Sequence, residues 1–234
     1  MKLRAIATAI LLGTILAACG DKPADGTAAN SEKEGEGKEV NVYNWSDYIA
    51  EDTIPNFEKS SGIKVTYDVA VDDNNTYYGK VKDQLALGQD IGADVVCLTD
   101  WMVSRLIRFG YVQDLNHSNI PNIKNLVPDL ENPDFDPGRK KSIPWQGGFA
   151  GIAWNKEKIP GGLTSVSDLW DPSLKGRVGV LSEMRDTMGL LMLQDGVDLA
   201  GDWGEGEFNA AVETLERQIA SGQIRQVKGN SYKQ

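Results

Sequence analysis

The sequence predicts an α/β protein built on a parallel sheet, and three observations lead there. Strand-like apolar runs alternate with helical ones three times in about 70 residues, from Val40 to Gly110. The third of these strands is a nearly continuous apolar run, as expected for a sheet covered on both faces. Each helical run is closed by a glycine, the residue that most readily takes up the left-handed turn ending a helix.

Taken in order, residues 40–44 alternate and form the first strand. Asp52 opens a helix carrying Ile54, Phe57 and Glu58, which Gly62 closes. Residues 63–69 have period two and β-branched content, a second strand. Asn74 or Asn75 caps a helix with Tyr78, Val81 and Leu85 on one face, stopped by Gly88. Residues 93–98 form the third strand, and residues 101–109 a helix with Met102, Leu106 and Phe109 inward. A loop rich in Asn, Pro and Asp runs over 117–138, and the glycines and proline of 142–149 mark a crossing between two lobes. Residues 151–155 and 176–181 read as strands of the second lobe, with helices over 186–194 and 205–220. The expected organisation is therefore lobe 1 over 40–145 and a second lobe over 146–234. Two or three strands make a thin sheet, so the second lobe reads as partial.

Composition narrows the function. The 234 residues hold 24 Lys plus Arg against 34 Asp plus Glu, a formal net charge of −10. That balance argues against nucleic-acid binding, which calls for a basic patch. Apolar residues at 41% and charged residues at 25% are ordinary globular proportions, which excludes a largely disordered chain and a multi-span membrane protein. One histidine, His117, and two cysteines leave no zinc constellation, and no Cys–His or Ser–His pair that does not use His117. Neither a metal nor a cofactor is expected.

The first residues indicate where the protein works. Lys2 and Arg4 precede an apolar run over 5–18 that is too short to span a bilayer. The run ends Leu16-Ala17-Ala18-Cys19-Gly20, which resembles a bacterial lipobox and implies removal of residues 1–18 and lipidation of Cys19. Two acyl chains, at about 0.8 kcal/mol per buried CH₂, hold a protein on a membrane surface. Residues 20–39 lack aromatic, Leu and Ile side chains, so 19–39 reads as a flexible leash. Cys97 then has no disulfide partner, and its apolar surroundings predict a buried, inert thiol.

Three clusters carry chemistry. Trp45-Ser46-Asp47-Tyr48 follows the first strand at its carboxyl edge, where open α/β sheets place ligands. Trp45 and Tyr48 are expected to be partly exposed there, and aromatic faces beside a carboxylate suit an organic cation. Thr99-Asp100-Trp101 lies at the carboxyl end of the third strand, where Thr99 or Asp100 also caps the following helix. Glu183 and Asp186, three apart at a helix start, share a face, and acids there also suit the helix dipole. Acids on one lobe facing an aromatic box on the other would clamp a diamine or a longer polyamine.

The run Tyr43-Asn44-Trp45-Ser46-Asp47-Tyr48-Ile49, with Phe57-Glu58-Lys59 and Gly62-Ile63-Lys64-Val65, resembles the spermidine/putrescine-binding proteins of bacterial ABC importers. The likeness extends through Ala93-Asp94-Val95-Val96, Gly151-Ile152-Ala153-Trp154-Asn155 and Ser167-Asp168-Leu169-Trp170. It implies a two-lobed type II periplasmic binding fold. It also implies ligand contacts at Trp45, Ser46, Asp47, Tyr48, Thr99, Trp101, Glu183 and Asp186. Leu98-Thr99 stands where the family usually has Pro-Ser, and Asp186 is one methylene shorter than the usual acid. Relatives run on well beyond the position of Gln234, which implies that the second lobe and the return to the first are incomplete in this chain.

The function expected from these readings is a monomeric, lipid-anchored receptor that works outside the cytoplasmic membrane. It would capture a protonated polyamine and hand it to an ABC permease. A receptor of the same fold for another organic solute is the alternative. A tethered hydrolase using Glu183 and Asp186 is a further one, unsupported by any nucleophile elbow, metal cluster or phosphate loop in the sequence.

Overall fold

The computed structural model describes residues 37–233. The leader over 1–18, Cys19 and nearly all of the expected leash lie outside the described residues. Strand β1 (Glu39–Trp45) is the centre of a three-stranded parallel sheet, with β2 (Lys64–Val71) on one side and β3 (Val95–Val96) on the other. Glu39 pairs with Lys64, and its carboxylate accepts the Thr66 hydroxyl at 2.9 Å, so the first strand begins inside the stretch read as leash.

Helix α1 (Thr53–Ser61) has Asp52 as its N-cap and ends at Gly62, whose φ of 72° lets its N–H reach the Glu58 carbonyl at 2.9 Å. Helix α2 (Asn74–Ala86) starts one residue earlier than expected. Asp73 is its cap, and the Asp73 carboxylate accepts the Thr76 N–H at 2.8 Å. Tyr77 and Val81, rather than Tyr78, form its buried face. They pack with Trp45 and Val71 as the core of the first sheet. Burial pushes the Tyr77 phenol up to about 12.

The third strand is two residues long, not six. Cys97 still donates its N–H to the Tyr43 carbonyl at 2.9 Å, but the chain then leaves the ladder and Thr99 becomes the N-cap of α3 (Asp100–Arg108). Among the described residues the sheet is not covered on both faces there: Val95 and Val69 are more than half exposed. Cys97 is partly buried, and desolvation pushes its thiol up to about 11, consistent with an unreactive group. Met102 and Leu106 face inward from α3, but Phe109 points outward and lies beside Tyr111, with ring centroids 5.5 Å apart.

The loop that follows contains the short helix α4 (Pro128–Glu131) and folds around one carboxylate. Buried Asp136 accepts the backbone N–H groups of Lys140, Lys141 and Ser142 together with the Ser142 hydroxyl. His117 engages the Arg139 carbonyl at 2.8 Å through Nε2, so the chain's single histidine is bound within this loop.

Beyond it, residues 151–155 form no strand, contrary to expectation. Among the described residues they have no ladder partner, and Trp145 and Phe149 just upstream are largely exposed. The second sheet is the parallel pair β4 (Val178–Leu181) and β5 (Ile224–Lys228). Helices α5 (Met184–Gln194) and α6 (Glu205–Ala220) connect the two strands. Met188, Leu191 and Met192 on one face of α5 pack against Ala211 of α6, an i, i+3, i+4 stripe that buries apolar area from both helices.

Candidate functional site

Each sheet brings the carboxyl end of a strand to a common seam. From the first come the β2–α2 junction, residues 72–74, and the turn after β1. From the second come the β4–α5 junction, residues 182–183, and the segment after β5. Parallel strands put the start of the following helix at this edge, so side chains there project into the space between the sheets.

Glu183 is the pivot. It is the N-cap of α5, yet its side chain does not cap its own helix. Its Oε2 instead accepts the Asn74 backbone N–H at 3.2 Å and the Asn74 side-chain amide at 2.6 Å. A carboxylate from the second sheet is therefore held at the N-terminus of α2 on the first, where exposed N–H groups and the helix dipole favour negative charge. Glu183 is 8% exposed, and its Oε1 is buried with no hydrogen-bond partner.

Asn74, fully buried, ties a third strand end into the same cluster. Its amide also donates to Thr99 Oγ1, and the Thr99 N–H donates to Asn74 Oδ1 at 3.1 Å. The Thr99 hydroxyl is thus turned toward Asn74 and does not cap α3. Next to it, Ser182 donates to Asp73 Oδ2 at 3.0 Å.

The turn after β1 is held from the far end of the chain. Asn230 donates through Nδ2 to Ser46 Oγ at 2.8 Å and to the Ser46 carbonyl at 3.0 Å. Ser231 donates its N–H to Asp72 at 2.7 Å, and Gly229 packs so closely on Asp72 that a Cβ there would overlap it. Asp47 takes φ of 60°, a left-handed conformation that Asp tolerates better than most residues, and this turns the chain sharply after the strand.

Trp45 corrects the expectation of a partly exposed ring. β1 runs through it with a register shift between Tyr43 and Trp45, which pairs Trp45 with Val71 and buries the indole to 6% exposure. Tyr48, half-buried, stacks on it with ring centroids 5.8 Å apart and planes 24° apart, and accepts the Trp145 indole N–H at its carbonyl. Of this aromatic pair, Trp45 is the floor and Tyr48 the outer member.

Trp101 is partly buried and already faces cations. The guanidinium carbons of Arg185 and Arg105 lie 5.0 and 5.3 Å from its ring centroid. Asp186 is half-buried on α5, and desolvation holds its carboxyl above the ordinary range. The seam thus joins Thr99 to Glu183 through Asn74, and Trp101 to the second sheet through Arg185. Trp45 with Tyr48, and Ser46 with Asn230, form adjoining contacts.

Asn74, Arg185 and Asn230 were not among the expected site residues. In the sequence Asn74 shows only as a candidate cap, because its partners Thr99 and Glu183 lie 25 and 109 positions away. A hollow of about 280 Å³ lined by His117, Ile123, Leu126, Glu131 and Arg139 lies within the 114–142 loop and shares no residue with the seam. Among the described residues, no group of three or more His, Cys, Asp or Glu is placed to hold a metal, and no helix is long and apolar enough to cross a membrane.

The chain is similar to known proteins over most of its length. The spermidine/putrescine-binding periplasmic protein 1 of Haemophilus influenzae is 33% identical over 198 residues, which cover 84% of this chain and 54% of that protein. The putrescine-binding periplasmic protein SpuD of Pseudomonas aeruginosa is 38% identical over 150 residues, covering 62% of this chain and 39% of that one. A solved structure from Listeria monocytogenes, assigned to a spermidine/putrescine ABC transporter, superposes with a TM-score of 0.72 at 30% identity. It covers 84% of this chain and 59% of its own. The chain spans about half the length of the first of these curated relatives, and both relatives are named as periplasmic binding proteins. The family described as bacterial extracellular solute-binding protein matches residues 53–234. With that match, and with a sheet-edge seam that gathers aromatics from the first sheet and acids from both, the chain belongs to the bacterial extracellular solute-binding protein family.

Proposed function

We propose that this protein is an extracytoplasmic receptor that captures a protonated polyamine, putrescine or spermidine, and delivers it to an ABC permease. The observation that carries this reading is Glu183 Oε1, a carboxylate oxygen buried at the seam and unpartnered beside an oxygen that Asn74 already fixes. A buried acceptor of this kind is costly unless a donor meets it, and a ligand ammonium supplies both the hydrogen bond and the opposite charge. Asp186, one helical turn on, adds a second acid. Desolvation raises the energy of its charged form, and an incoming cation relieves that penalty. Tyr48, resting on Trp45, offers an aromatic wall to the alkyl chain. Asp47, at the end of the β1 turn, would receive the far ammonium, with Ser46 beside it.

Binding would hold the two sheets together, since the ligand touches both only when they are apposed. A wrong spacing between ammonium groups would leave one buried charge unpaired, at a cost of several kcal/mol, and this sets the selectivity. In this reading Cys19 carries the lipid that tethers a monomer to the membrane, within reach of the permease. The names of the relatives, which bind putrescine or spermidine, support the choice of ligand class.

Equilibrium dialysis with labelled putrescine tests the reading. One saturable site per chain, displaced by spermidine and not by glutamate, is expected. Absence of saturable binding, or equal displacement by glutamate, would reject it. Palmitate labelling that disappears in Cys19→Ala tests the anchor separately.

A further inference from the structure

Arg185 lies between two acids of the proposed site, Glu183 and Asp186, yet among the described residues it forms no ion pair with either. Its guanidinium instead crosses to the first sheet and sits 5.0 Å from the centroid of Trp101. Helix electrostatics do not explain this position: Arg185 is the second residue of α5, where the helix dipole disfavours a cation. Arg105 reaches the same indole at 5.3 Å and the Tyr78 ring at 5.4 Å, so this end of the seam is already supplied with positive charge. The arrangement leaves the acids unneutralised while the adjoining aromatic face is occupied.

We infer that Arg185 is a specificity-determining residue that closes the Trp101 face to ligand cations. This inference rests on the polyamine reading above and deepens it. An aromatic ring exposed beside two acids would bind a further ammonium of a longer polyamine. With guanidinium groups on that ring, the same ammonium meets like charge at short range, which is unfavourable. The site is thereby confined to amines whose charges fit between Glu183 with Asp186 and the turn at Asp47, and it selects against spermine. Trp101 then serves as the seat of Arg185, not as a contact for the ligand itself.

The test is the ratio of spermine to putrescine affinity, measured by calorimetry on the full-length protein and on Arg185→Gln and Arg185→Lys. Arg185 is exposed and Gln is a good helix former, so the fold is expected to survive, and circular dichroism checks this. The expected result is a rise in that ratio of about tenfold or more in Arg185→Gln, and a smaller rise in Arg185→Lys, which keeps the charge but loses the planar guanidinium stacked on Trp101. A ratio unchanged in folded Arg185→Gln, or an equal rise in Arg185→Lys, overturns the inference and leaves the polyamine reading standing. Wild-type protein that binds neither amine overturns both.

Discussion

The carboxylate of Glu183 and the side-chain amide of Asn74 meet at 2.6 Å across the seam, joining a helix start on one sheet to a helix start on the other. Asn74 is the common partner of Glu183 and Thr99, so removing its amide strips donors from two groups at once. Asn74→Ala is expected to destabilise the protein by about 1–3 kcal/mol, the penalty for buried polar groups left unsatisfied. Urea denaturation with an unchanged slope checks this. Asn74→Asp should be worse near neutral pH, where two carboxylates face each other, and should recover on acidification.

Asp186 predicts a pH dependence. Desolvation raises its pKa from the ordinary 3.8, so the folded state keeps the proton to higher pH than the unfolded chain does. Its contribution therefore makes the ligand-free protein less stable as pH rises through the window between 3.8 and the raised value. Polyamine affinity should move the opposite way over that window, because only the carboxylate pairs with an ammonium. Unfolding of the ligand-free protein and calorimetric titration with putrescine, each from about pH 4 upward, check the two signs, and Asp186→Asn should flatten the binding profile.

Gly229 sits where the segment after β5 docks on the first sheet. A Cβ there would overlap both the carboxyl group and the backbone carbonyl of Asp72, the groups that accept from Ser231 and Asn230. Gly229→Ala is expected to cost about 1–3 kcal/mol through this clash. It should also loosen the Asn230–Ser46 contact, which increased proteolysis of the 229–233 segment would report.

Trp45 separates a floor from a wall. Buried against Val71, Tyr77 and Val81, it should cost about 3–5 kcal/mol when cut to Ala, read by thermal or urea unfolding. Trp45→Phe should retain most of the stability and most of the binding. A large loss of affinity at unchanged stability would instead make the indole a direct ligand contact.

Much of the fold was legible because its signals are local. Gly62 ends α1 by reaching the Glu58 carbonyl, Asp52 begins the same helix, and α6 runs over the 205–220 that its periodicity marks. Misreadings occurred where distant residues decide the outcome. The third strand is cut short because Thr99 turns away to Asn74, and residues 151–155 look like a strand but have no neighbour to pair with among the described residues. The sheet-edge rule brought the expected acids and aromatics close to one seam. It could not tell that a register shift buries Trp45, or that Arg185 passes over its own acidic neighbours to reach Trp101. The first outcome depends on packing of β1 against β2 and α2, and the second on contact between the two sheets, neither of which a run of neighbouring residues encodes.

Whether the unpartnered oxygen of Glu183 receives a ligand ammonium is decided by calorimetry of putrescine and spermidine on wild type and Glu183→Gln. Gln keeps an acceptor for Asn74 and similar volume while removing the charge. One-to-one binding to the wild type is expected, with a loss of about 10- to 150-fold in the variant, the value of a hydrogen bond to a charged group at about 1.5–3 kcal/mol. Equal affinity in the two proteins would contradict it.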